Sequence, residues 1–241
     1  MYKNYVFDVY GTLVDIHTNE YLDSTWAKLA ETLNFYGVYY SPQELKEAYF
    51  SSCELQMRQG RANFNHPEVD VVEFFSHIFE NKGVKTTKTL STHLAQEFRA
   101  FSTEYLKLYD GVLDTLAKLK RSRKKLFILS NAQKCFTKTE LIKLGLLKYF
   151  TGAVYSSEYK CAKPDATLFN ALCDKYKLDK KETVYVGNDP QTDVDGARNA
   201  KIDCLWIKTN LTDLNTKPKY SPKYTIDNGN FKEITKLLLK K

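Results

Sequence analysis

The chain has 241 residues, 43% hydrophobic and 27% charged, a balance that excludes a disordered or fibrous protein and allows one large domain or a core carrying a smaller one. The net charge of +7 is spread along the chain, apart from a dense cluster at Lys118, Lys120, Arg121, Arg123, Lys124 and Lys125. With no aromatic-rich recognition motif beside it, that cluster reads as a solvated helix end, and no nucleic-acid partner is expected.

The first element is Tyr5-Val6-Phe7, a short apolar strand entered directly from the N-terminus, with no secretory-leader pattern before it. From about Asn19 to Leu108 the pattern changes to helix after helix, with no strand expected. Ser41-Pro42-Gln43-Glu44 has the signature of a capping box with proline at the first helical position. His66-Pro67-Glu68 is expected to open a further helix carrying Val71, Val72, Phe74, Phe75, Ile78 and Phe79. Strand character returns at Leu126-Phe127-Ile128-Leu129. A helix follows over Leu141 to Leu144, stopped by Gly145, then a weaker strand at Ala153-Val154-Tyr155 and a helix over Thr167 to Tyr176. Val184-Tyr185-Val186 and, more weakly, Leu205-Trp206-Ile207 complete the strands, and Thr216 to Lys223 reads as a surface loop. Continuous apolar runs alternating with helices imply a doubly wound α/β fold whose parallel strands are buried on both faces.

No apolar run approaches the roughly 18 residues that cross a bilayer, so no membrane partner is expected. Cys53, Cys135, Cys161, Cys173 and Cys204 are scattered, odd in number and never in a C-x-x-C pair. That argues against a disulfide framework or a zinc site and for a reducing, cytoplasmic location.

Each of the three strongest strands ends in polar residues: Asp8 after the first, Ser130-Asn131 after the second, Gly187-Asn188-Asp189 after the third. Ligands of open α/β sheets bind outside the carboxyl ends of the strands, so these residues would meet at one crevice. Asp8 is a carboxylate able to attack an electrophilic carbon or phosphorus and form a covalent ester that water later cleaves. Gly11 and Thr12 would make a tight turn whose backbone N–H groups face the transferred group. Ser130 and Asn131 offer hydrogen bonds to a small anionic substrate.

Taken together, Phe7-Asp8-Val9-Tyr10-Gly11-Thr12-Leu13-Val14-Asp15, Leu129-Ser130-Asn131, Lys163-Pro164-Asp165 and Gly187-Asn188-Asp189 through Asp193, then Gly196-Ala197, resemble the four signatures of the haloacid dehalogenase-like hydrolases. The resemblance implies a Rossmann-like α/β core at residues 1–16 and 107–241 and a helical cap at residues 17–106. It also implies a hydrolase with Asp8 as nucleophile and Lys163 as the point charge that would hold Asp8 ionised, against the alternative of a solvated helix start before Pro164.

Two positions of the pattern disagree about the reaction. Phosphatases resembling this chain carry an aspartate two residues after the nucleophile, which protonates the leaving alkoxide. Here that residue is Tyr10, a weak acid with a reference pKa of about 10. A Tyr-Gly-Thr-Leu run at this point, with His17 shortly after it, is similar to the halide-releasing members, whose leaving group needs no proton. The fourth motif points toward Mg²⁺ and phosphoryl transfer: the resemblance implies that Asp8, the backbone carbonyl of Tyr10 and either Asn188 or Asp189 hold the ion. Asp193 is a further candidate ligand, with a helix N-cap as its alternative. Asp195 is expected to be exposed.

The leading expectation is thus a Mg²⁺-dependent hydrolase of small phosphorylated metabolites, with slow turnover on poor leaving groups. The runner-up is a metal-independent 2-haloacid dehalogenase, with Arg58 and Arg61 as candidate holders of the substrate carboxylate. A third reading, prompted by Tyr10, is a binding or regulatory protein that keeps the pocket without efficient turnover.

Overall fold

The structure, a computed structural model, describes residues 2–239. In chain order the strands are β1 (Asn4–Phe7), β2 (Val14–Thr18), β3 (Thr103–Leu108), β4 (Lys125–Ser130), β5 (Gly152–Tyr155), β6 (Thr183–Gly187), β7 (Asp203–Ile207) and β8 (Tyr224–Ile226). The helices are α1 (Asp23–Phe35), α2 (Pro42–Gly60), α3 (Val71–Glu80), α4 (Lys88–Ser102), α5 (Val112–Arg121), α6 (Lys134–Lys143), α7 (Ser156–Tyr159), α8 (Ala166–Tyr176), α9 (Gly196–Asn199) and α10 (Phe231–Leu238).

Six strands form one parallel sheet in the order β5-β4-β1-β6-β7-β8. The doubly wound α/β class expected from the alternation of apolar runs and helices is the class observed. Successive side chains of a strand point to opposite faces, and β1 shows the consequence. Tyr5 and Phe7 pack with Leu126, Ile128, Val184 and Val186 against α5 and α10, while Val6 packs with Phe127, Leu129 and Tyr185 against α8. Both faces are covered, which is why the strands read as unbroken apolar runs rather than alternating ones.

A third core belongs to α1–α4. Trp26, Leu29, Leu33, Leu45, Tyr49, Phe74, Phe75, Ile78, Phe79 and Phe98 are buried together, with one contribution from outside, Phe136 of α6. The Ser41–Glu44 capping box forms as expected, its two reciprocal bonds at 3.2 and 2.8 Å.

The structure departs from the sequence reading in this region at two places. The chain enters and leaves the helical module through β2 and β3, an antiparallel ribbon whose second strand lies where only helices were expected. Nor does α3 begin at His66-Pro67: it begins at Val71, where Asp70 accepts from the N–H groups of Val72 and Glu73. Residues 66–68 are drawn instead into an antiparallel bridge with residues 160–162. Ala162 N–H donates to His66 O at 2.7 Å and Glu68 N–H to Lys160 O at 3.1 Å. A tertiary pairing outweighs the local helix signal of proline.

The basic cluster lies where α5 hands over to β4, at the amino edge of the sheet and away from Asp8. No helix among the described residues is long and apolar enough to cross a membrane.

Trp26 is fully buried against Tyr49, Phe50 and Phe98, with its indole N–H donated to Glu20 O at 2.8 Å. Trp26→Ala is therefore expected to lower unfolding free energy by ~3–5 kcal/mol in a urea titration.

Candidate active site

β1 lies between β4 and β6, so their carboxyl ends meet at the middle of one sheet edge. The chain delivers Asp8 from β1, Ser130 and Asn131 from β4, and Asn188 and Asp189 from β6. The loop after α7 adds Lys163, which is only 3% exposed and is not the solvated helix start that was its alternative.

All three ammonium protons of Lys163 have acceptors: Asp8 Oδ1 at 2.8 Å, Asp193 Oδ1 at 2.6 Å and Tyr185 OH at 2.7 Å. Burial opposes the charge on Lys163, but Asp193 and Asp8 outweigh it and push its pKa up to about 12. Burial raises Asp8 to about 6, against the pull of Lys163, so the carboxylate is still ionised at neutral pH. Because this folded value lies above the ordinary 3.8, Asp8 favours the fold fully below about pH 4, and that contribution is lost as pH rises through about 6. Ser130 donates its hydroxyl to the same oxygen of Asp8 at 2.9 Å. Asp8 Oδ2 receives only a long contact from Thr12 Oγ1 at 3.5 Å, which leaves it open for attack or for a cation.

Asp193 is held on every side. Its Oδ1 also accepts from Tyr185 OH at 2.8 Å and its Oδ2 from Asp189 N–H at 2.9 Å. A Cβ at Gly187 would stand 2.4 Å from Asp193 Cγ, so this approach requires glycine. Asp193 is not the helix cap that was its alternative. Asp189 caps instead, its Oδ1 accepting from Gln191 and Thr192 N–H at 2.9 and 2.6 Å at the start of the π-helical turn Pro190–Asp195. Asp195, expected to be exposed, is buried and accepts from Tyr220 N–H at 3.1 Å.

Asn131 and the Gly11-Thr12 turn are placed differently from expectation. The Asn131 carboxamide spans the main chain of Lys163, accepting its N–H at 2.7 Å and donating to its carbonyl at 3.0 Å. In this arrangement it positions the main chain of the lysine. The N–H groups of Gly11 and Thr12 turn inward, to Val14 O at 2.8 Å and Val9 O at 3.3 Å. Among the described residues, the N–H groups of Val9 and Tyr10 have no acceptor, and these are the donors available beside Asp8. Gly11 sits at φ +77°, and a Cβ there would lie 2.5 Å from the amide of Asn188. Asn188 Oδ1 in turn accepts from the Thr12 hydroxyl at 3.1 Å.

Tyr10 is turned away from Asp8. Its hydroxyl donates to Glu140 of α6 and lies 2.9 Å from the Thr137 hydroxyl, while Arg99 of α4 stands 5.3 Å from its ring centre. Burial pushes the phenol well above its ordinary pKa, with the Glu140 carboxylate adding to the rise.

A model of the haloacid dehalogenase-like hydrolases matches residues 2–201. The chain belongs to this family. It is similar to pyrimidine 5'-nucleotidase PynA of Streptococcus pneumoniae, 24% identical over 229 residues that cover 93% of this chain and 91% of that one. A HAD phosphatase from Thermococcus onnurineus has the same fold, with a TM-score of 0.60 at 21% identity over 98% of this chain and 97% of that one. So does the L-2-haloacid dehalogenase of Xanthobacter autotrophicus, with a TM-score of 0.58 at 16% identity over 99% of each chain. The protein is a hydrolase of phosphatase-like kinship.

The donor chemistry fits Mg²⁺. Both oxygens of Asp193 are engaged and Oδ1 of Asp189 is a cap, which leaves Asp8, Asn188, the Tyr10 carbonyl and Oδ2 of Asp189 as hard oxygen donors. Mg²⁺ is commonly held by one or two carboxylates, with waters completing its shell.

Three side chains of this neighbourhood were not legible as site residues. Tyr185 looks like any core aromatic of a doubly buried strand. Arg99 and Glu140 stand on helices far apart in sequence, with nothing local to pair them. Arg58 and Arg61, the candidate carboxylate holders, are exposed at the end of α2.

Lys163→Met would leave two buried carboxylates without their cation. It is expected to cost ~3–5 kcal/mol of stability in urea at pH 7. Part of that loss should be recovered at pH 5, where a carboxylate takes up a proton.

Proposed function

We propose that the protein hydrolyses small phosphorylated metabolites with Mg²⁺ bound, through an aspartyl-phosphate on Asp8. The observation that carries this reading is the state of Asp8: buried, ionised, tied on one oxygen by Lys163 and Ser130 and open on the other. The carboxylate forms a bond to phosphorus as the ester oxygen leaves, and water then cleaves the acyl phosphate to return Asp8 and release phosphate. The Val9 and Tyr10 N–H groups bind the transferred oxygens, and Lys163 offsets their charge. Mg²⁺ on Asp8, Asn188 and the Tyr10 carbonyl would supply further charge neutralisation when bound. Asp193 is then outside its shell and holds Lys163, while Asp189 shapes the turn through Oδ1. Residues 17–106 act as a cap that excludes water from the crevice, and the five free thiols support a reducing, cytoplasmic setting. The phosphatase names of similar proteins support the reaction class, not the substrate.

Tyr10 sets a limit on the substrate. Its proton is committed to Glu140, and the groups touching Asp8 are hydroxyls and an ammonium of pKa about 12, so no acid near neutrality serves the leaving oxygen. Leaving groups of low basicity, as in acyl and aryl phosphates, are favoured, and alkyl phosphates are expected to turn over ~10²–10⁴-fold more slowly.

The same observation favours a second reading, displacement of halide from a short 2-halo acid with no metal. Phosphate release from acetyl phosphate and a panel of monoesters, with Mg²⁺ and with EDTA, separates the two. Release dependent on both Mg²⁺ and Asp8, lost in Asp8→Asn, is the expected result. Chloride release from 2-chloropropionate that persists in EDTA would replace the phosphatase reading with the dehalogenase one.

A further inference from the structure

Tyr10 joins a buried cluster built from three separate parts of the chain. Arg99 comes from the last turn of α4, four residues before β3 carries the chain back to the core. Glu140 and Thr137 come from α6, and Tyr10 from the loop that carries Asp8. Arg99 Nε donates to Glu140 Oε1 at 2.8 Å, and Glu140 Oε2 accepts from Tyr10. The guanidinium lies 5.3 and 5.4 Å from the ring centres of Tyr10 and Phe136. Its side chain is 14% exposed and that of Glu140 12%, so the pair is largely withdrawn from water.

Burying two opposite charges in this way costs nearly as much as it returns, and it is poor evidence for stability. What such a pair does supply is geometry, because a planar guanidinium and a carboxylate meet in few orientations. Here the geometry reaches the nucleophile. Tyr10 is two residues from Asp8, and the Gly11 carbonyl next to it is held on its other side by the Thr209 hydroxyl at 2.7 Å. A second α4–α6 link runs parallel to the first, from Gln96 Nε2 to Cys135 O at 3.0 Å and Thr139 Oγ1 at 3.1 Å. Beside the ion pair is a cavity of about 390 Å³, lined by Arg99, Glu140, Phe136 and Tyr105 among others.

We propose that Arg99 and Glu140 form a latch between the helical module and the core, and that through Tyr10 this latch sets the position of the nucleophile loop. They are positioning residues: neither touches Asp8, and both act through the phenol. The proposal rests on the hydrolase reading for its kinetic consequence but not for its structural one. Loss of the latch lets the end of α4 detach from α6 and frees the Tyr10 side chain to rotate, which displaces the attacking oxygen.

The test compares wild type with Glu140→Gln, Arg99→Lys, Tyr10→Phe and the double variant Tyr10→Phe/Glu140→Gln, in the full chain. Glu140→Gln keeps the shape of the side chain and removes its charge. Arg99→Lys keeps a charge and removes the fork, so a second route remains should one variant fold poorly. With acetyl phosphate and Mg²⁺, each single variant is expected to lose on the order of 10- to 100-fold in kcat, the effect of a small misplacement of reacting groups, with KM changed less than about threefold. The double variant should be no slower than the slower single one, because both changes cut the same linkage. Losses that multiply, or an unchanged kcat, overturn the proposal. Amide hydrogen exchange over residues 96–108 gives a readout independent of turnover. It should be faster in Glu140→Gln than in wild type, and equal protection would overturn the latch even if the hydrolase reading stands. Should wild type release no phosphate from any substrate, the hydrolase reading fails, and the exchange comparison alone decides the latch.

Discussion

One buried ammonium organises the crevice. Lys163 stands between Asp8 and Asp193, and without it two carboxylates would face each other where water scarcely reaches. Each of its neighbours is fixed in turn by something else: Asp193 by the Asp189 N–H and the phenol of Tyr185, Asp8 by Ser130, and the lysine main chain by the carboxamide of Asn131. A buried polar network is stable only when every member is satisfied. That requirement explains why so many of the polar residues at the strand ends are turned toward one another. The site has few spare donors among the described residues, and they include the N–H groups of the residues directly following the nucleophile.

Much of this was legible in advance. Parallel strands buried on both faces announce themselves as continuous apolar runs, and the residues that follow them are placed at one edge by topology alone. Asp8 and Ser130 are brought together for that reason, and Lys163 and Asp193 join them from the segments after β5 and β6. What could not be read was the direction in which each side chain spends its hydrogen bonds. Asn131 next to Ser130 looks like a second substrate donor, and only the tertiary position of Lys163 shows that it is engaged elsewhere. Gly11 and Thr12 look like a cradle until the turn is closed, when their N–H groups prove to hold the turn itself.

The errors in the fold have a similar origin. β3 follows Ser102 with no glycine or proline between helix and strand, so the change of period from 3.6 to 2 carries no punctuation. Its partner β2 is short, and the pair is anchored where Val14 and Ile16 of β2 and Leu106 and Leu108 of β3 reach the main core. His17, close to the nucleophile in sequence, stands on this ribbon, paired with Glu104 at 2.9 Å and stacked on Tyr105. In the same way, a proline that would start a helix in isolation marks instead the place where residues 66–68 meet residues 160–162.

That short bridge changes what the helical module is able to do. A body joined to another by two adjacent strands is a door on one hinge line, free to swing through a single angle. The bridge adds a third point of support, well away from the hinge and immediately before the lysine that neutralises Asp8. A door held at a third point is a panel, and here that fastening is made of main-chain hydrogen bonds beside the charge centre, in addition to the side-chain ties between α4 and α6. A separation of residues 66–68 from residues 160–162 would therefore pull on the backbone that leads directly into Lys163.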